Sequence, residues 1–322
     1  MSTFTAAVVQ AASVAFDTMA SLEKLRRLTA EAAERGARLA VFPEAFIAGY
    51  PRGLDFGARV GMRTAKGRED FRRYFESAIE VPGTETDLIG LAAAEGRLHL
   101  CVGVIERAGG TLYCAALFFG PDGRLLGKRR KLMPTAMERL IWGFGDGSTL
   151  APVDTELGKM GTAICWENYM PMLRMAMYSK GVQIWCAPTA DGRKTWLPTM
   201  QHIAIEGRCF VLSANQFSRR RDYPEDYDPI EGNDPETLMS AGGSCIVSPF
   251  GEVLAGPCWD GEAILTAEID LQEVARGKMD LDVAGHYARP DVFRLLVNER
   301  ATPPVVSYGG KRDDDEDPFG GG

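Results

Sequence analysis

Two apolar runs of this chain end on a residue able to do chemistry, and a basic triplet leads into a third apolar stretch. Gly161-Thr162-Ala163-Ile164 runs into Cys165, Leu39-Ala40-Val41-Phe42 runs into Pro43-Glu44, and the triplet Arg129-Arg130-Lys131 precedes Leu132-Met133-Pro134. A cysteine thiolate is a strong nucleophile, a carboxylate among apolar neighbours has its pKa raised toward neutrality, and an ammonium stabilises developing negative charge. Each also has a plainer reading. Cysteine after Ala-Ile suits a small core residue, Glu44 suits hydrogen bonding to loop amides, and the basic triplet suits a charged sheet edge. Within the triplet, Lys131 is the member expected to turn inward.

The elements that must hold these residues follow from pattern and punctuation. Residues 5–10 read as a strand, 20–38 as a long helix, and 39–42 as a buried strand stopped by Pro43. Helical spacing recurs over 69–77 and 86–94, with Gly96 placed as a C-terminal cap. Runs 99–106 and 111–119 flank Gly109-Gly110 as a hairpin, and Pro121-Asp122-Gly123 turns the chain into 124–127. After the Cys165 strand come helix 172–180, strand 182–187, helix 195–207 and strand 209–215. Strands 243–248, 251–256 and 263–269 follow, then a helix from Leu271. This is an α/β chain, and pattern alone allows either a two-sheet sandwich with outer helices or one doubly wound sheet. In both, side chains at a strand's carboxyl end face a crevice.

Composition excludes several classes of function. The 322 residues carry a net charge of −8 with no long Lys/Arg cluster, so no nucleic-acid partner is expected. No apolar run approaches the roughly 18 residues of a membrane span, and no basic, apolar leader opens the chain, so a cytoplasmic location is expected. Seven cysteines (101, 114, 165, 186, 209, 245 and 258) lack any C-x-x-C spacing, and the three histidines are scattered. That argues against structural zinc, a redox pair or a His-rich metal centre, and fits a reduced intracellular protein. His202, within a helical stretch, reads as structural. Residues 219–238 are polar and read as a long surface loop, functional or mobile. Residues 1–300 are expected to form one domain, followed by an acidic, Gly-rich tail (301–322) whose end, from 309, is solvated and disordered.

Glu, Lys and Cys at successive strand ends, in that order, resemble the nitrilases, the nitrile-hydrolysing branch of the carbon–nitrogen hydrolase superfamily. The matching segments are 42–46 with Gly49-Tyr50-Pro51, 130–135, and Cys165-Trp166-Glu167-Asn168-Tyr169-Met170-Pro171. Segments 187–191, 201–204, 212–216 and 282–290 add to the resemblance, which spans roughly residues 5–300. It implies a four-layer αββα sandwich that pairs into αββα–αββα dimers and larger helical oligomers, with no metal or organic cofactor. It also implies roles: Glu44 as general base, Lys131 as cationic stabiliser, Cys165 as nucleophile, and Glu138 as a second, supporting glutamate.

The implied substrate is a small organic nitrile, converted to the carboxylic acid and ammonia through a thioimidate and then a thioester on Cys165. Lys131 is expected to lower the thiol pKa, and with the Trp166 backbone N–H to stabilise negative charge. Tyr50, Trp142, Trp166 and Trp196 are candidate pocket walls, or else core aromatics, and Pro188 and Thr189 are expected to face the crevice. Trp166-Glu167 resembles the nitrile branch more than the amide-cleaving relatives, and Asn168 resembles organic-nitrile enzymes more than cyanide-converting ones. An amidase and a cyanide-converting hydrolase stand as the alternatives. Thr162 and Arg129 depart from the family pattern, and Arg129 receives no function.

Overall fold

The computed structural model describes residues 3–306. The first half comprises β1 (Thr3–Gln10), α1 (Thr18–Glu34), β2 (Ala37–Val41), α2 (Ala65–Ser77), α3 (Thr84–Gly96), β3 (His99–Ala108), β4 (Thr111–Phe119) and β5 (Leu125–Arg130). The second comprises β6 (Val153–Thr155), β7 (Gly158–Thr162), α4 (Pro171–Ser179), β8 (Ile184–Thr189), α5 (Trp196–Gly207) and β9 (Phe210–Asn215). Then follow β10 (Phe217–Arg219), β11 (Leu238–Ala241), β12 (Ser244–Val247), β13 (Val253–Cys258), β14 (Ala263–Asp270) and α6 (Gln272–Gly277).

The strands form two six-stranded sheets, ordered β14-β1-β2-β3-β4-β5 and β13-β12-β9-β8-β7-β6, with β10 and β11 as a separate ribbon. Parallel strands β1, β2 and β3 in one sheet, and β7, β8 and β9 in the other, are flanked by antiparallel partners. The period-2 pleat sorts side chains into layers. Ala7 and Val9 pack with Leu22, Leu25 and Ile89 of α1 and α3 on the outside. Ala6 and Val8 pack with Leu39, Ile184, Cys186 and Leu212 between the sheets. Trp185, Ala187 and Val211 pack outward on Met177, Met200 and Ile203 of α4 and α5. The result is an αββα sandwich, which decides against the single doubly wound sheet.

Several boundaries differ from those the pattern suggests. Helix α1 starts earlier, because the Asp17 side chain accepts from the Ala20 N–H at 2.9 Å, a capping bond typically contributing about 1 kcal/mol. It also ends before residue 38, because Gly36 adopts a φ of +80° and sends the chain into β2. Gly96 is the last residue of α3 rather than its cap; Arg97, at φ +52°, turns the chain. Strand β5 continues through Arg130, past the expected 127, because Glu106 on β3, across the intervening β4, accepts from Lys128 and Arg130 at 2.6 and 2.7 Å. That extension delivers Lys131 to the sandwich's interior. The 219–238 segment is organised by buried Arg220, which donates to Asn233 Oδ1 and to the carbonyls of Pro224, Glu225 and Tyr227. Of the expected tail, 301–306 is exposed and without regular structure, and 307–322 lies outside the described residues.

Candidate active site

Each reactive side chain sits just past a strand. Glu44 follows β2, and its turn packs so closely on β3 that a Cβ at Gly103 would stand 2.1 Å from the Pro43 carbonyl oxygen; only glycine fits there. Cys165 follows β7 at a φ of +52°, a left-handed conformation that is costly for a side-chain-bearing residue and recurs at functional turns. Lys131 follows β5, held by its N–H to the Cys114 carbonyl at 2.8 Å.

The three converge between the sheets. The Lys131 Nζ donates to Glu44 Oε1 and to Glu138 Oε2, both at 2.7 Å, and neither Lys131 nor Glu44 is exposed. Glu138 is further fixed by the Thr135 N–H at 2.6 Å and the Tyr50 hydroxyl at 2.7 Å. An ammonium has three N–H donors; two are engaged, and one is left for charge developing beside it. On Glu44, Oε1 also accepts weakly from the Cys114 thiol at 3.5 Å, while Oε2 is buried without a partner. That oxygen is the open proton acceptor of the cluster.

Electrostatic effects at the site oppose one another. Burial, followed by the Glu44 charge, pushes the Cys165 thiol well above its ordinary value; Lys131 and a hydrogen bond from Thr189 oppose this without cancelling it. Burial here works against the thiolate form. Burial likewise raises the Glu44 carboxyl, with Lys131 lowering it and Glu138 raising it. Burial alone would lower Lys131, but the surrounding charges of Glu44, Cys165, Cys114 and Glu138 hold it well above its usual pKa. A carboxylate whose proton affinity is raised can take the thiol proton as the sulfur attacks.

Two residues outside the expected set tie this cluster together. Glu167 accepts at Oε1 from the Leu132 N–H (2.6 Å) and Arg129 Nη2 (2.9 Å), and at Oε2 from the Ile164 N–H (2.9 Å). One buried carboxylate thus clamps the residue after Lys131 to the residue before Cys165. Asn168 closes the same turn, donating to the Ala163 and Cys165 carbonyls at 2.8 Å and accepting from the Trp185 indole N–H. Trp166 follows Cys165 in the same short 3-10 turn, Cys165–Tyr169.

A cleft of about 960 Å³ meets the cluster at Glu138 and is lined also by Tyr50, Arg52, Ile141, Trp166 and Ile230, among others, while Glu44, Lys131 and Cys165 lie behind its wall. Cys165 itself is only 4% exposed. Asp228–Glu231 places the polar 219–238 segment in the cleft wall, where the Ile230 N–H bonds the Gly53 carbonyl at 3.1 Å. Trp166 is 41% exposed, its indole N–H on Asp191 Oδ2 at 2.8 Å and Arg193 stacked 4.8 Å from its ring.

Four proposed pocket residues are placed differently. Trp142 is buried beneath Lys131, whose Nζ lies 5.4 Å from the ring centre, with Tyr50 edge-on between it and the cleft. Trp196 belongs to the outer core and donates to Ser213 Oγ at 2.8 Å. Pro188, on β8, is buried away from the cleft lining. Thr189 does reach the site, but it touches the Cys165 sulfur at 3.3 Å rather than the cleft. Among the described residues, no group of three or more His, Cys, Asp or Glu is placed to hold a metal ion, and no helix is long and apolar enough to cross a membrane.

Comparison with known proteins adds independent findings. The carbon-nitrogen hydrolase family profile matches residues 5–279. A nitrilase of Bradyrhizobium diazoefficiens is 60% identical over 310 residues, covering 96% of this chain and 97% of that protein. A bifunctional nitrilase/nitrile hydratase of Lupinus angustifolius is 58% identical over 309 residues, covering 94% of this chain and 88% of that one. Among solved structures, the NitFhit protein of C. elegans superimposes with a TM-score of 0.73 at 21% identity, covering 94% of this chain and 69% of that chain.

Proposed function

This chain belongs to the carbon–nitrogen hydrolase family, and from that premise we propose that it is a nitrilase acting through Cys165, Glu44, Lys131 and Glu138. It converts an organic nitrile to the carboxylic acid and ammonia. The observation that carries the assignment of roles is the buried Glu44–Lys131–Glu138 chain at 2.7 Å spacings, with one Glu44 oxygen left unpartnered.

In this reading the Cys165 sulfur adds to the nitrile carbon while its proton passes to Glu44 Oε2. The nitrogen takes up a proton, giving a thioimidate. Lys131 and the Trp166 N–H stabilise the charge that develops, a role in which a single donor is typically worth about 10²–10³ in rate. Glu44 then activates water, the tetrahedral species loses ammonia to leave a thioester, and a second water releases the acid. Tyr50 and Trp166 are the expected substrate contacts, supported by their place in the cleft wall.

Relatives named as nitrilases at 58–60% identity favour nitriles over the amidase and cyanide alternatives. Names that also include nitrile hydratase favour amide as a second product of the same site. We assign residues 1–300 to one catalytic domain. Its self-association into dimers and helical oligomers is supported by exposed Phe293, Leu296, Val305 and Val306 near the end of the described chain. A cytoplasmic location is supported by seven cysteines that form no disulfide. The test is ammonia release across aliphatic, aromatic and dinitrile substrates, with the matching amides and cyanide. Nitriles should turn over fastest; faster hydrolysis of the matching amides would overturn the assignment.

A further inference from the structure

The Cys165 sulfur has a hydroxyl neighbour with a fixed orientation. Thr189 Oγ1 accepts from the Asp191 N–H at 3.0 Å, so its own proton points to its other partner, the Cys165 sulfur at 3.3 Å. Thr189 is fully buried, so no solvent competes for that proton. Asp191 is itself locked by the Trp166 indole and by the Arg193 guanidinium at 2.8 Å. The hydroxyl is thus held as a donor to sulfur before any substrate arrives.

We propose that Thr189 is a catalytic residue that stabilises the Cys165 thiolate and thereby sets the share of amide in the product. The inference rests on the nitrilase reading. After water adds to the thioimidate, the tetrahedral carbon carries the substrate chain, the Cys165 sulfur, a hydroxyl and an amino group. If the nitrogen is protonated from the Lys131–Glu44 cluster, the C–N bond breaks with its electron pair going to nitrogen, the hydroxyl returns its proton to Glu44, ammonia leaves and the thioester remains. If the C–S bond breaks instead, its electron pair goes to sulfur, the hydroxyl gives its proton to Glu44, and the amide departs. A donor to sulfur makes thiolate the better leaving group, so Thr189 pulls the partition toward amide. The protonated cluster pulls it toward acid.

The experiment compares Thr189→Val, which keeps the shape, with Thr189→Ser, which keeps the hydroxyl. Two quantities are read: the amide-to-acid ratio from butyronitrile and 3-phenylpropionitrile, and the pH–rate profile of iodoacetamide alkylation mapped to Cys165. Loss of one hydrogen bond to the thiolate should lower the alkylation rate of Thr189→Val about tenfold at each pH of the profile. With a Brønsted slope of about 0.5, the amide-to-acid ratio should fall about threefold. Thr189→Ser should match the wild type in both. An unchanged profile, or an amide share in Thr189→Val that is unchanged or higher, overturns the proposal. If Thr189→Val does not fold, Thr189→Ala removes the same hydroxyl and carries the same expectations. A wild-type protein that releases no ammonia from any nitrile refutes the nitrilase reading, and the alkylation profile then decides the Thr189–Cys165 link alone.

Discussion

Replacing Glu167 by glutamine should damage stability and turnover together, although the residue touches no substrate. Its carboxylate is the counterion of Arg129, and both side chains are almost wholly buried. Removing one member of a buried pair strands the other charge, at a cost of about 3–5 kcal/mol. A glutamine oxygen can still accept from the Leu132 N–H, but its amide group would then face the Ile164 N–H, donor against donor. Taking about 4 kcal/mol in all, and about 2–4 °C per kcal/mol for a large domain, Tm should drop by about 10 °C. Because the clamp sets the Lys131–Cys165 spacing, a displacement of about 1 Å would cost about 10²-fold in kcat. Thermal unfolding of Glu167→Gln, Arg129→Met and the double variant forms the assay. The double variant should be more stable than the sum of the two losses implies, by about 2 kcal/mol or more. A Tm within about 3 °C of wild type for Glu167→Gln, or additive losses, would refute the clamp.

Two further outcomes follow from the geometry. Lys131→Met should lower kcat at least about 10²-fold in a nitrile assay, because it removes both the free donor and the cation between Glu44 and Glu138; a loss below about fivefold would reduce Lys131 to a packing residue. Burial raises the Glu106 carboxyl, but Arg130 and Lys128 outweigh it and hold the group below its ordinary value. A depressed carboxyl contributes stability that is full above the unfolded value and lost as pH falls through the folded one. Tm measured from pH 7 downward should therefore fall more steeply below about pH 4.3 in wild type than in Glu106→Gln, and parallel curves would contradict this.

Much of the fold and the reacting groups was legible because their signals are local. Apolar runs ending at Glu44 and Cys165 and the basic triplet ending at Lys131 mark strand ends, and the family resemblance supplies Glu138, seven residues past the lysine. What was not legible depends on contacts between residues far apart in the chain. Arg129 reads as one of three edge charges until it is seen 2.9 Å from Glu167, thirty-eight positions away. Trp142 and Trp196 lie near the motifs in sequence, yet the layers decide exposure, and both are shielded from the cleft. The polar 219–238 segment gives no hint that Arg220 folds it around its own carbonyls. At Cys165 the Lys131 charge lowers the thiol pKa as a neighbouring ammonium should, while burial and the Glu44 charge, which depend on distant parts of the chain, raise it.

The central claim is that Cys165 bonds covalently to the nitrile carbon. Acid-quenching the protein during turnover of a nitrile that it hydrolyses, followed by peptide mass spectrometry, tests this most directly. The account predicts an acyl or imidate adduct on the peptide carrying Cys165 and on no other cysteine peptide, with both adduct and ammonia release abolished in Cys165→Ala. Substantial ammonia release by Cys165→Ala, or an adduct on Cys114 in its place, would contradict it.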